Sequence, residues 1–240
     1  MMEKINFEAL KDLDFKTNEA YKALRTNINF SGDDIQSIAF TSSVPNEGKS
    51  MVSFQCARSL AEDDKKVLYI DADIRKSVLV ARYSADKEVP GLTHFLTGKK
   101  HLDDVICETN IHNMNVIFSG RVAPNPSELL GKERFSNMIE RAKTEYGYDY
   151  IIIDCPPLGS VIDAAVVARA CDGTIIVIES DNISYRITQK VKDQLDKSGC
   201  RILGAVLNKV EMESKGYYGK YYGSYYGKYY GNYGDYGQED

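Results

Sequence analysis

Residues 41–50, TSSVPNEGKS, follow an apolar run at 35–40 and precede a segment that reads as a helix from about Lys49. A loop joining a strand to a helix in this way turns successive backbone N–H groups toward one anion, and the helix N-terminus adds partial positive charge. Gly48, Lys49 and Ser50 fill the last three places of the G-x-x-x-x-G-K-[ST] pattern, in which the lysine reaches terminal phosphates and the hydroxyl reaches Mg²⁺. The first place, usually glycine, is Ser43, small enough for close backbone approach but less tolerant of positive φ. A bare GKS is a weak signal that an ordinary strand-to-helix turn also produces. The acidic segments farther along sharpen it.

After Gly32 the pattern alternates. Apolar runs at 37–40, 67–70, 115–118, 150–154, 174–179 and 202–208 are separated by helical patterns ending near Ala61 and spanning about 132–145, 161–170 and 184–197. Short continuous apolar runs between helices predict an α/β fold with a mostly parallel central sheet and helices on both faces. Ligands in such sheets bind beyond the C-terminal strand ends, where the loop, Asp71, Asp154 and Asn208 all fall.

In VLYIDADIRKS, Asp71 and Asp73 lie just past a buried strand, and in extended chain positions i and i+2 point the same way. In DYIIIDCPP, Asp154 ends another apolar strand ahead of Pro156 and Pro157, which stop the pairing. A carboxylate there suits Mg²⁺, which keeps much of its hydration shell. Each acidic segment alone could be solvated loop. Three acids at strand ends opposite a GKS loop predict a nucleotide site.

The rest of the chain narrows the reading. Thirty basic and thirty-five acidic residues leave a net charge of −5, which offers no global attraction to nucleic acid or an anionic membrane. Cys56, Cys107, Cys155, Cys171 and Cys200 have no metal-ligand or C-x-x-C spacing and read as reduced core residues. The apolar stretch 164–178 is broken by Arg169 and Asp172, so nothing reads as a membrane span and a cytoplasmic protein is expected. Residues 1–16 are mixed and polar and read as an N-terminal extension. Thr17 and Asn18 offer N-cap oxygens for a helix at about 19–29, with Glu19, Lys22 and Arg25 on one polar face. Residues 90–120 read as a lid or edge region, and His94, His101 and His112 show no metal spacing. Asn125, Pro126 and Glu128 read as a capping-box-like helix start. From Gly216 a Y-Y-G-x repeat carries ten of the 17 tyrosines; without aliphatic residues it cannot build a core and is expected to stay disordered until bound.

These motifs together, EAYKALRTNI, SSVPNEGKS, VLYIDADIR, APNPSELLG, DYIIIDCPP and the tyrosine cluster, resemble the bacterial tyrosine kinases (BY-kinases). The likeness is to the cytoplasmic Gram-positive type that acts with a separate membrane adaptor in capsule or exopolysaccharide synthesis, and it runs from Glu19 to the tail. It implies a P-loop fold of the deviant-Walker, MinD/ParA-like kind. The implied domains are a kinase domain at 17–212, whose helix at 17–30 serves oligomerisation, and a tail at 213–240. Where family members often carry glycine and proline, this chain has Asn46 and Ser77. The family's E-x-x-R-x-x-R motif here reads Glu19, Lys22, Arg25, with a lysine point charge in place of one arginine fork.

The resemblance further implies an ATP-dependent protein-tyrosine autokinase using ATP and Mg²⁺. Lys49, Asp71 and Asp73 are the implied catalytic residues, with Asp71 favoured to take the tyrosine proton and the reverse assignment left open. Ser43, Asn46, Glu47, Gly48, Lys49, Ser50, Met51 and Asn208 form the nucleotide-binding set, and Ser50, Asp73 and Asp154 the metal set. Tyr217, Tyr218, Tyr221, Tyr222, Tyr225, Tyr226, Tyr229, Tyr230, Tyr233 and Tyr236 are the implied phospho-acceptors, with Glu19, Lys22 and Arg25 at a homo-oligomer interface that could close a ring. Implied partners are a transmembrane adaptor, which would recruit the chain to the inner membrane face, and a cognate phosphotyrosine phosphatase; nucleic acid is not among them. The alternative is a MinD/ParA-like positioning ATPase, which usually carries a second lysine early in the loop where this chain has Thr41, Ser42 and Ser43. A scaffold with a degenerate site is disfavoured by the retention of Lys49, Ser50 and the three aspartates.

Overall fold

The computed structural model describes residues 2–83 and 89–210. The chain divides into two units at Asn208/Lys209, and the elements belong to the first. In chain order they are β1 (Glu3–Ile5), α1 (Phe15–Asn29), β2 (Ser37–Ser42), α2 (Lys49–Ala61), β3 (Val67–Asp71), α3 (Leu79–Tyr83), α4 (Leu92–Leu96), a 3₁₀ turn (Leu102–Asp104), β4 (Cys107–Thr109), β5 (Met114–Ile117), α5 (Pro126–Leu130), α6 (Glu133–Thr144), β6 (Tyr150–Asp154), α7 (Asp163–Ala168), β7 (Gly173–Glu179), α8 (Tyr185–Lys197) and β8 (Ile202–Asn208). The strands form one sheet in the order β1-β4-β5-β3-β6-β2-β7-β8, parallel except for the β4–β5 pair.

Strand pleating distributes the apolar runs over two cores. On β3, Leu68 and Ile70 enter the cluster built with Phe135, Met138 and Leu195 of α6 and α8, while Val67 and Tyr69 enter the opposite cluster with α2 and α1. Ile151, Ile152 and Ile153 alternate in the same way on β6. Both faces of the central strands are therefore dry, and β2, β3 and β6 carry no exposed residue. Helix α2 is itself buried along almost its whole length, lying between the sheet and α1, so its small residues Ser50, Ser53, Cys56 and Ala57 serve close packing. Cys56, Cys107, Cys155 and Cys200 are buried and Cys171 is half-buried, all free thiols, as the spacing predicted.

The fold corrects several sequence readings. The first residues are not mere polar extension: β1 pairs in parallel with β4, and Ile5 and Phe7 are buried. Phe7 meets Phe54 edge to face at 5.3 Å. Helix α1 starts earlier than expected because Asp14, not Thr17 or Asn18, is its N-cap: Asp14 Oδ1 accepts from Thr17 N at 3.0 Å. Asn125 flanks α5 without capping its backbone; its Nδ2 donates to Glu128 Oε2 at 2.7 Å instead. The last apolar run, β8, is an edge strand with Gly204, Ala205 and Leu207 exposed, so coverage on both faces holds for the centre of the sheet and not for this edge. The tail tyrosines and the Y-Y-G-x repeat lie outside the described residues.

Phe7→Ala removes a ring packed between Phe54 and Phe118 and should destabilise the domain by about 3–5 kcal/mol in urea unfolding. A loss under about 1 kcal/mol would mean that the first residues are not part of this core.

Candidate functional site

The register of the central strands assembles the site. Asp71 and Asp154 are direct partners at the ends of β3 and β6, and Phe40 of β2 pairs with Asp154 on its other side. β2 then runs into the loop at 43–48, so the loop and both carboxylates emerge from one edge of the sheet. Loop curvature comes from Asn46 at φ 71° and Gly48 at φ 91°. Asn46 stands where the family often has glycine, and asparagine is among the few residues that accept this backbone region. Ser43, where positive φ was the concern, does not adopt it. The close approach at Ser43 is supplied from outside: a Cβ on Gly159 would lie 2.1 Å from the Ser43 carbonyl oxygen.

The loop is braced by side chains that sequence reading assigned to the nucleotide. Glu47 is fully buried and accepts from Val44 N at 2.7 Å and from Glu179 N at 3.2 Å, tying the loop to itself and to β7. Asn208 Nδ2 donates to the Glu47 carbonyl at 2.8 Å and sits where a Cβ on Gly48 would collide. Both side chains thus hold the loop's shape. Met51 is exposed on the first turn of α2, and Ser43 Oγ is buried with no hydrogen-bond partner among the described residues, a cost that a bound anion would relieve.

At the centre lies the ammonium of Lys49. Its Nζ is 3.1 Å from Ser50 Oγ, 3.3 Å from Asp154 Oδ1 and 3.5 Å from Asp73 Oδ2. Burial alone would depress its pKa, but Asp154, Asp73 and Asp71 hold it above the ordinary lysine value. Burial raises the Asp154 carboxyl, opposed by Lys49 and by the Ser50 hydroxyl. Asp73 also accepts from Lys76 N at 3.0 Å through Oδ1.

Asp71 is the most deeply held of the three. Its Oδ1 accepts from Asp73 N at 3.1 Å, and its Oδ2 accepts a short hydrogen bond from the Ser77 hydroxyl. Burial first, then the Asp154 charge, pushes this carboxyl up to about 7, against the Ser77 hydrogen bond. A hydroxyl thus donates directly to the buried Asp71 carboxyl.

Sequence reading missed one cluster. Buried Asp163 receives Arg75 in two-pronged fashion, Nε to Oδ2 at 2.6 Å and Nη2 to Oδ1 at 3.1 Å, and Ser127 Oγ donates to Oδ1 at 2.5 Å. This pins the turn after Asp73 to α5 and α7. Its only sequence trace was Arg75 inside VLYIDADIR and Ser127 inside APNPSELLG, with Asp163 88 residues from Arg75.

No three acidic, histidine or cysteine side chains among the described residues group closely enough to enclose a metal ion. Ser50, Asp73 and Asp154 nonetheless gather around one ammonium as hard oxygen donors, and Mg²⁺ asks of a protein only one or two carboxylates beside phosphates and water. The donor set therefore fits Mg²⁺. At the remaining predicted site, Lys22 Nζ pairs with Glu19 at 2.7 Å, while Arg25 donates to the Ser59 carbonyl at 2.7 Å and lies 3.3 Å from Asp63, so all three charges have partners on α1 and α2 or just beyond α2.

A family model described as an AAA domain matches residues 35–198. The chain is 44% identical to tyrosine-protein kinase CpsD of Streptococcus agalactiae over 94% of its own length and 92% of that protein's. Its fold is similar to the kinase domain of the Escherichia coli tyrosine kinase ETK, with TM-score 0.75 and 33% identity over 83% of this chain and 80% of that one. It is also similar to the septum site-determining protein MinD of Pyrococcus horikoshii, solved with Mg-ADP, with TM-score 0.64 and 27% identity over 75% and 72% of the two chains.

Burial of Asp71 makes the stability of the domain depend on pH. Its folded pKa lies above its ordinary value of 3.8, so between about pH 4 and 7 the folded chain binds more protons at this group and loses stability as pH rises. That loss grows by up to about 1.4 kcal/mol for each pH unit across the window, and Asp71→Asn removes it. Denaturant unfolding of the nucleotide-free chain should therefore show a stabilising effect of the substitution that is larger at pH 8 than at pH 5; a flat or inverted dependence would contradict the burial of this charge.

Proposed function

This chain belongs to the bacterial tyrosine-protein kinases built on a nucleotide-binding AAA domain, and from that premise we propose that it phosphorylates its own tyrosine-rich tail, between neighbouring subunits, under control of a membrane adaptor. The observation that carries the chemistry is Lys49, whose buried ammonium joins the phosphate loop to Asp73 and Asp154 with Asp71 behind them. Phosphoryl transfer needs mainly positioning and charge stabilisation, which a loop, a lysine and oriented carboxylates can supply.

In this reading ATP lies with its β- and γ-phosphates against the loop N–H groups and Lys49. The acceptor phenol takes the place of the Ser77 hydroxyl at Asp71 and gives its proton to that carboxylate. A bond then forms between the phenol oxygen and the γ-phosphorus, the bond from that phosphorus to the β,γ-bridging oxygen breaks, and ADP leaves. A carboxyl that titrates near 7 is matched to this exchange at neutral pH. Mg²⁺, held by Ser50, Asp73 and Asp154, would neutralise phosphate charge. Lys49 draws the charge of the leaving phosphates, and Asp73 keeps Lys49 and the turn at Lys76 in register.

The proposed division is a kinase domain running to residue 212, into whose sheet and core the first residues pack, and an acceptor tail at 213–240, the ten tyrosines from Tyr217 to Tyr236 being the acceptors. Subunits are proposed to meet head to tail through α1, where Glu19, Lys22 and Arg25 lie, and such heterologous contacts can close rings. Phe15 and Phe30 at the two ends of α1 are 72% and 83% exposed, apolar surface that a neighbour would cover. Among the described residues no helix is long and apolar enough to cross a membrane, so attachment to the inner membrane face would come from an adaptor, with a phosphotyrosine phosphatase resetting the tail. The proposed setting is capsule or exopolysaccharide synthesis. The alternative, a positioning ATPase, draws on the MinD-like fold alone.

Transfer between subunits is tested by mixing full-length Lys49→Ala chains with active chains truncated before Gly216, in the presence of Mg-ATP and adaptor. Phosphate on the inactive chain's tail is expected. A blank tail, with the truncated partner active on a separate substrate, would leave only the intramolecular route.

A further inference from the structure

Asp73 and Ser77 also border a cavity larger than the transfer step itself uses. The cavity, of about 770 Å³, opens between the turn after Asp73 and the segment following β5. Asp73 lies at its lining, Val80, Val89 and Phe118 supply apolar wall, and Lys76 and Arg121 supply positive charge. Its volume is in the range of pockets that hold whole ligands, roughly 300–1,000 Å³, and exceeds the needs of one phenol ring.

The cations lining this cavity differ in availability. Arg75 is engaged by Asp163 in the two-pronged pair already described. Lys76 and Arg121 are exposed and have no ion-pair partner among the described residues, and the positive charge of Arg121, after burial, helps hold the neighbouring His94 imidazole below its ordinary pKa. Two cations with no ion-pair partner among the described residues, beside an apolar wall, suit an aromatic group that carries an anion. The acceptor sequence supplies such a group once transfer has begun: its tyrosines come in adjoining pairs from Tyr217–Tyr218 to Tyr229–Tyr230, and each phosphate adds about −1.5 to −2 charge. With about 3.3–3.6 Å of extended chain per residue, a tyrosine next to the one at Asp71 lies within one or two residues' reach of the neighbouring pocket.

Resting on the reading that Asp71 receives the acceptor tyrosine, we propose that this cavity is a subsite for the adjoining residue, and that Lys76 and Arg121 select peptides already phosphorylated there. Guanidinium and ammonium groups recognise phosphate through charge-assisted hydrogen bonds, the arginine in two-pronged geometry. The first phosphate on a Tyr-Tyr pair then makes its neighbour the better acceptor, and modification of the tail proceeds pair by pair.

The test uses the full-length chain with its ten tail tyrosines changed to phenylalanine, incubated with Mg-ATP and adaptor, so that only added peptide accepts phosphate. Two synthetic peptides copy residues 216–223, one unmodified at Tyr221 and Tyr222 and one carrying phosphate on Tyr222, each with Tyr217 and Tyr218 replaced by phenylalanine. The expected result is a kcat/KM about tenfold higher, per acceptor tyrosine, for the phosphorylated peptide, the scale of one charge-assisted contact. Lys76→Ala combined with Arg121→Ala should bring the ratio near one while leaving the KM for ATP and the rate on the unmodified peptide unchanged, since the backbone N–H of Lys76 that holds Asp73 is retained. Arg121→Lys should keep part of the preference. Equal use of the two peptides by the parent chain overturns the inference, as does a preference that survives the double substitution. Transfer to neither peptide would overturn the kinase reading together with the subsite, whereas equal transfer to both removes the subsite alone.

Discussion

A buried ammonium among buried carboxylates is the constraint on which the site depends. Asp71, Asp73 and Asp154 are each less than 10% exposed, and the sheet register brings two of them side by side. Carboxylates removed from water repel one another unless a cation answers them, and Lys49 is the cation within reach of Asp73 and Asp154. The opposing effects are visible in the groups themselves: Lys49 holds its proton more tightly than an exposed lysine, while Asp71, farther from that charge and next to Asp154, is pushed toward neutrality. A carboxyl pushed toward neutrality beside two that a lysine engages is how a site divides acid–base work from electrostatic work.

The architecture around Lys49 makes that arrangement reproducible. Parallel strands buried on both faces fix where β2, β3 and β6 end, and a buried α2 fixes where Lys49 begins its turn. The loop between them is clamped on three sides, by Glu47 toward β7, by Asn208 from β8 and by Gly159 against Ser43. The Arg75–Asp163–Ser127 cluster does the same for the turn that carries Asp73. Rigid walls with an open centre are what a transfer reaction governed by positioning requires.

Much of this was legible in the sequence, because the strongest signals are local. Continuous apolar runs marked the central strands, and the glycine, lysine and serine of the loop with aspartates at strand ends marked the site. What escaped was short or distant. β1 and β4, EKI and CET, are three residues long, with no periodicity to read, and exist because they pair with one another and bury Ile5 and Cys107. The start of α1 turned on Asp14, whose carboxylate outcompetes the hydroxyl of Thr17 for the role of cap by accepting from both the backbone and the side chain of that threonine. Glu47 and Asn208 were assigned to the nucleotide, yet their side chains turn toward the loop's own backbone and its neighbours through contacts 132 and 161 residues apart. Asp163 carried no local mark because its partners come from two other segments.

The central claim is that this cluster moves phosphate from ATP to tyrosine on the chain's own tail. Mass spectrometric mapping of the intact protein after incubation with Mg-ATP and adaptor tests it most directly. The account predicts phosphate on tyrosines between Tyr217 and Tyr236, absent when Asp154 is changed to alanine in a chain that remains folded. Release of inorganic phosphate with no phosphotyrosine in that segment would contradict it and return the protein to the class of ATPases that share its fold.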